Sequence, residues 1–158
     1  MSAAPDPQAI LRARARARRR TPEGRRMGLF RWAESDGAIW LFPATLTSVN
    51  GLVPLASESR WQVGGTAADA RFCYWLATAA RQDLWRALQG VPGLLPVIRV
   101  TPDAQARAVD VALAALVPEN RTSAAIEAVF EDMFQPRRIN AWTAWARRKA
   151  GEPVPGDA

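Results

Sequence analysis

The chain has 158 residues, of which 49% are hydrophobic and seven are tryptophans. This length suits one domain with its own core, and the composition is too apolar for a disordered chain. The 21 basic and 15 acidic residues give a net charge of +6, and the apolar runs are too short to cross a bilayer. We therefore expect a globular protein that does not enter a membrane.

The residue types that the chain lacks exclude several functions. It has no histidine, which excludes histidine-based acid–base catalysis and every zinc site that needs an imidazole. Cys73 is the single cysteine, so thiolate metal sites are excluded as well. Neither a phosphate-binding glycine loop nor a signal peptide is recognisable, and only carboxylate chemistry stays open to an enzyme. We expect a cytoplasmic protein with no cofactor, no metal site and no catalytic activity.

Residues 1–26 are predicted to form a basic arm, helical or disordered. Eight arginines stand against Asp6 and Glu23, so this segment carries the net charge of the whole chain. Alanine and arginine favour a helix up to about residue 20, but only Ile10 and Leu11 offer apolar surface. We predict that the arm is detachable from the body. Its arginines are Arg12, Arg14, Arg16, Arg18, Arg19, Arg20, Arg25 and Arg26.

From residue 27 the apolar residues alternate with a period of two, which predicts strands. GLFRWA (28–33) and AIWLFP (38–43) flank a turn that contains Asp-Gly, a pattern typical of a β-hairpin. A second hairpin is predicted at Asn50-Gly51, between TLTSV and LVPLAS. RWQV (60–63) is predicted as a fifth strand.

The second half of the chain is predicted to be mostly helical. A capping pattern from Thr66 to Asp69 opens a long helix that ends near Gln89, and LPVIRV (95–100) is a short strand. Further helices are predicted over 103–117, over 123–134 and over 137–150. These elements predict an α+β fold, a small antiparallel β-meander of about five short strands plus one later strand, packed against three to four helices. The body spans 27–150, and 151–158 is a disordered tail.

The last helix is a second basic segment. Its basic residues are Arg137, Arg138, Arg147, Arg148 and Lys149, with no acidic residue among them. Arg138, Trp142, Trp145 and Lys149 fall on one helix face, which is an arrangement that can stack bases and pair phosphates. The alternative is that both tryptophans anchor the core while the basic side chains lie over them.

The first hairpin raises the same question. One of its faces, which includes Trp32, is predicted to be core. The opposite face carries Arg31 and Trp40, and it is either covered by helices or an open arginine–aromatic platform on which bases stack.

These features predict a nucleic-acid-binding accessory protein, part of a larger microbial complex or mobile element. Arginine forks match phosphate geometry, and counterion release makes such binding strong and salt-dependent. The phosphate backbone of DNA or RNA would be held by the arm and assisted by the last helix. The alternative is an adaptor or inhibitor that docks a protein partner through exposed tryptophans, with the arm against an acidic surface. The choice between DNA and RNA stays open.

Overall fold

The computed structural model describes residues 9, 10, 12, 13, 15, 30–43, 52–63, 69–88, 95–118 and 124–152. Over these ranges the chain forms five strands and three helices, which confirms the predicted α+β class with one strand fewer than expected. The strands are β1 (Phe30–Ser35), β2 (Ala38–Pro43), β3 (Leu52–Gln62), β4 (Leu95–Asp103) and β5 (Ala108–Pro118). The helices are α1 (Ala70–Leu88), α2 (Ala124–Met133) and α3 (Pro136–Lys149).

The five strands form one antiparallel sheet in the order β1-β2-β4-β5-β3. The β1–β2 hairpin is closed by Asp36 and Gly37, whose φ angles are 55° and 75°. Two consecutive positive φ angles are what a two-residue hairpin loop needs, and Asp-Gly tolerates them. This predicted hairpin is therefore confirmed.

The prediction of a helix over 103–117 is wrong, because these residues contain a turn and the strand β5. β5 pairs with β3 on one side and β4 on the other, so it lies inside the sheet. Val109, Val111 and Leu113 face the helices, whereas Ala114 faces the opposite side, and all four are buried. A strand that is buried on both faces does not alternate between polar and apolar residues. Its sequence is a nearly continuous apolar run, and such a run is also compatible with a helix.

The predicted hairpin at Asn50-Gly51 is only partly within the structure. Residues 44–51, which include the strand TLTSV, lie outside the described residues. β3 runs unbroken from Leu52 to Gln62 and pairs with β5 over its whole length. RWQV is therefore mostly the end of β3 and not a separate strand.

The three helices pack on one face of the sheet. α1 begins after Asp69, whose carboxylate accepts a hydrogen bond of 2.9 Å from the backbone N–H of Phe72. This places the N-cap at Asp69, and Thr66 lies outside the described residues. The helix has one apolar stripe, which includes Phe72, Leu76 and Leu84, and these three side chains are fully buried against the sheet.

The opposite face of the sheet is covered by the start of the N-terminal arm. Residues 9, 10, 12, 13 and 15 are helical, and Ile10 and Ala13 are completely buried. These two residues are three positions apart, so they lie on the same face of a helix. Their buried neighbours are Ala33, Ala38, Trp40, Phe42, Val97 and Ala114. The arm therefore begins as a packed part of the fold, in contrast to the predicted detachable arm.

Candidate nucleic-acid interface

The helices α1 and α3 lie antiparallel, and all but one of their charged side chains are basic. Trp142 in α3 donates its indole N–H to Asp83 near the end of α1, at 2.7 Å. At the other end, the Lys149 ammonium lies 5.1 Å from the centre of the Trp75 ring. Asp83 is the only acidic residue of the two helices. We call their basic side chains the α1–α3 surface: Arg71, Arg81, Arg86, Arg137, Arg138, Arg147, Arg148 and Lys149.

The predicted basic residues of α3 divide into two groups. Arg138 is held by Asp132 at 3.1 Å and by Asp83 at 3.6 Å, and Arg147 donates to the carbonyl oxygen of Val63. Lys149 pairs with the carboxylate of Glu152 at 2.8 Å. Arg137 and Arg148 are exposed, and neither has an ion pair or hydrogen bond from its side chain within the described part of the chain. These two guanidinium groups are the ones available to an anionic ligand.

The two predicted stacking tryptophans of α3 are packed. Trp142 is only 3% exposed, and its indole N–H is satisfied by Asp83. Trp145 is partly buried with its ring against Trp75, at 5.7 Å between centres, and Lys149 lies over it. The structure thus has the alternative arrangement, in which both tryptophans anchor the helix and the lysine side chain lies over Trp145. The Trp142 ring offers no face to a base.

The open platform predicted on the first hairpin is not formed. Trp40 is 2% exposed, its indole N–H bonds to the carbonyl of Ser35 at 3.0 Å, and Arg99 lies 5.7 Å from its ring. Arg31 is 8% exposed. The physical reason is that the helix carrying Ile10 covers this face, so neither side chain can stack with a base here.

Arg12 is the one arginine of the arm among the described residues. It is exposed, and its Nε atom lies 3.6 Å from a carboxylate oxygen of Asp36. Arg12 therefore sits on the side of the sheet opposite to the α1–α3 surface. The other predicted arm residues, Arg14, Arg16, Arg18, Arg19, Arg20, Arg25 and Arg26, lie outside the described residues.

Trp85 in α1 is a candidate that the sequence analysis missed. It is 40% exposed and is the one exposed large hydrophobic residue of the described chain. The other six tryptophans are buried or partly buried. A signal for Trp85 was present, since it lies off the apolar stripe of α1, between Arg81 and Arg86. The adaptor hypothesis, which needs several exposed tryptophans, is left with this single one.

Other parts of the described structure offer less to a nucleic acid. A depression of about 350 Å³ beside the β1–β2 turn is lined by Glu34 and Asp36, and none of its described lining residues is a basic residue that could pair with a phosphate. The described residues contain no group of three or more potential metal ligands. They also contain no helix whose length and apolar character would let it traverse a lipid bilayer.

The Cys73 thiol is buried in the core, which raises its pKa to about 12, with a smaller contribution from the charge of Asp69. The thiol is therefore protonated at neutral pH, and only the thiolate reacts rapidly with alkylating agents. We expect iodoacetamide at about pH 8 to label the native protein on the order of 100-fold more slowly than the urea-unfolded protein, followed by intact mass. Equal rates would show that the thiol is accessible.

Comparison of the chain with protein-family models, with curated proteins and with solved structures found no match. The basis for a functional proposal is therefore the chemistry of the chain's own residues.

Proposed function

We propose that the protein binds nucleic acid through the phosphate backbone and that the α1–α3 surface is its principal contact. The arginines of the arm provide a second, separate contact. The protein acts in the cytoplasm as an accessory component of a larger nucleic-acid complex. This proposal keeps the predicted role of the last helix and adds the neighbouring α1 to it.

The observation that carries the proposal is the separation of charge between elements of the fold. α1 and α3 carry eight basic residues against Asp83, whereas α2 carries three acidic residues and no basic one. In the sheet, Arg60 bridges Asp103 and Asp110 at 2.6 and 2.8 Å. Most of the described basic side chains that lack an ion pair therefore lie on α1 and α3, and such clustering is the electrostatic footprint of a nucleic-acid site.

The available arginines suit phosphate better than a base edge. Arg137 and Arg148 lie near opposite ends of α3, eleven residues apart, which corresponds to a separation of roughly 16 Å along the helix axis. This span covers several successive phosphates of a strand. We therefore expect affinity without strong sequence preference, because phosphate contacts position a protein and do not read sequence.

The test is fluorescence anisotropy with labelled single- and double-stranded DNA and RNA and the full chain. Neutralising about four phosphates would lower the affinity about 100-fold between about 50 and 200 mM salt. We expect a decrease of that order. Absence of binding to all four oligonucleotides at the lower salt concentration would contradict the proposal and direct the search to an acidic protein partner.

The contribution of the arm is tested without deleting it. Replacing Arg16, Arg18, Arg19 and Arg20 by glutamine removes four charges and retains Ile10 and Ala13. Because each neutralised phosphate contributes to the salt dependence, we expect this variant to bind more weakly and with a shallower salt slope. An unchanged slope would assign all phosphate contacts to the α1–α3 surface.

A further inference from the structure

We propose that the C-terminal half of α1 contains a base-stacking site for single-stranded nucleic acid, formed by Trp85 with Arg81 and Arg86 on either side. This inference rests on the proposed function and specifies the class of nucleic acid that the α1–α3 surface takes. It concerns residues that the sequence analysis did not assign.

The Trp85 ring is exposed but held in place. It packs edge-to-face on Phe30 of β1, with ring centres 5.9 Å apart and an interplanar angle of 84°. Phe30 itself is buried and therefore acts as a fixed support. A supported aromatic ring loses little conformational freedom when a base stacks on it, and every base has a face that can do so.

Arg81 supplies a positive charge on one side of the tryptophan. It lies one helical turn before Trp85, and its guanidinium carbon is 4.7 Å from the centre of the same Phe30 ring. Arg81 is partly buried, and no carboxylate among the described residues pairs with it. A partly desolvated guanidinium without an anionic partner gains from an incoming phosphate.

Arg86 continues the positive charge from Trp85 towards α3. It is exposed, and one of its nitrogens lies 3.8 Å from Asp83, whose other oxygen is 3.6 Å from Arg138. Asp83 thus sits between the two arginines, and Arg137 follows at the start of α3. Arg86 and Arg138 thus connect the end of α1 with α3 around Asp83, and a strand could follow these side chains with its phosphates.

Single-stranded nucleic acid is the ligand that uses both features. In a duplex the base faces are stacked on one another, so a duplex could engage the arginines but not the tryptophan. A single strand presents its bases to an aromatic ring and its phosphates to flanking arginines. We therefore expect single-stranded oligonucleotides to bind more tightly than duplexes of the same length.

The experiment measures oligothymidine and duplex DNA binding by anisotropy for the full chain and for Trp85→Leu and Trp85→Phe. Leucine retains the apolar contact with Phe30 but has no aromatic face, and phenylalanine retains both. We expect Trp85→Leu to weaken single-strand binding about tenfold, with duplex binding changed less than about twofold, and Trp85→Phe to lie close to the unmodified protein. Arg107→Gln, which removes one exposed charge from the turn between β4 and β5, outside the α1–α3 surface, serves as the charge control and is expected to change binding less than about threefold.

A second measurement does not depend on the variants being folded. Oligothymidine should protect the exposed tryptophan of the unmodified protein from quenching by acrylamide. Salt-dependent binding without this protection, or with Trp85→Leu as tight as the unmodified protein, would overturn the stacking site and leave the proposed function standing. Failure of the full chain to bind any oligonucleotide would overturn both.

Discussion

Ile10→Asp is expected to lower the free energy of unfolding by about 4 kcal/mol or more, because it replaces a fully buried side chain with a charge. For a chain of this size the midpoint of thermal unfolding would fall by roughly 10 °C. The substitution should also uncover the sheet face around Trp40. The measurements are thermal unfolding by circular dichroism and the wavelength of tryptophan emission.

Ala15→Asp is the matched control for this prediction. It introduces the same charge five residues further along the same helical segment, at an exposed position. We expect it to change the midpoint by no more than about 2 °C, as is usual for surface substitutions. Equal stability of the two variants would show that the arm does not pack on the sheet.

This anchoring changes how the function of the arm can be tested. A chain that begins at Met27 lacks the arm arginines, but it also lacks Ile10 and Ala13, which cover the sheet. Loss of binding by such a truncation could therefore result from loss of the fold. Replacement of individual arginines separates the two effects, since arginine and glutamine have similar helix propensities.

Short-range signals in the sequence predicted much of the fold. Asp36-Gly37 defined the first hairpin through the backbone geometry that its loop requires. The buried stripe of α1 was readable because a helix that packs on a sheet needs one apolar face, and Pro136 marked the start of α3. These features depend on a few neighbouring residues, so one sequence was enough to find them.

β5 shows what the sequence could not provide. Its alanines have high helix propensity, and the segment follows Thr101-Pro102-Asp103, which is a plausible helix start. It is a strand because β3 and β4 pair with it from both sides, and these partners are distant in sequence. Its second face is also buried, since Ala114 belongs to the same apolar cluster as Ile10 and Ala13. Only tertiary contacts decide this element.

The candidate site was also only partly predictable. The charge of the last helix was evident, but the sequence could not tell which arginines are already held by carboxylates. Asp83 and Asp132, in two other helices, hold Arg138, while Arg137 next to it is available. Trp142 is buried and Trp85 is exposed, and the sequence could not show this difference because it depends on how α1 packs against α3 and β1.

The available arginines of α3 therefore give a sharper test of the site than its total charge. Arg137→Glu with Arg148→Glu removes the two exposed guanidinium groups without touching Asp83, Trp142 or the core. Two charged contacts of about 1.5 kcal/mol each correspond to a loss of about 100-fold in affinity for single-stranded DNA at low salt. Anisotropy measures this loss, and unfolding in urea checks that stability is unchanged.

A variant with restored net charge separates a localised site from general electrostatic attraction. Glu127→Lys and Glu131→Lys in α2, both at exposed positions, return the net charge of the Arg137→Glu, Arg148→Glu chain to +6 without restoring positive charge on α3. If phosphates bind at the α1–α3 surface, the variant with all four substitutions binds single-stranded DNA as weakly as the variant with two. The reason is that attraction between exposed charges is screened within about 10 Å. Recovery of full affinity would mean that only the total charge of the protein matters and that α3 is not a binding site.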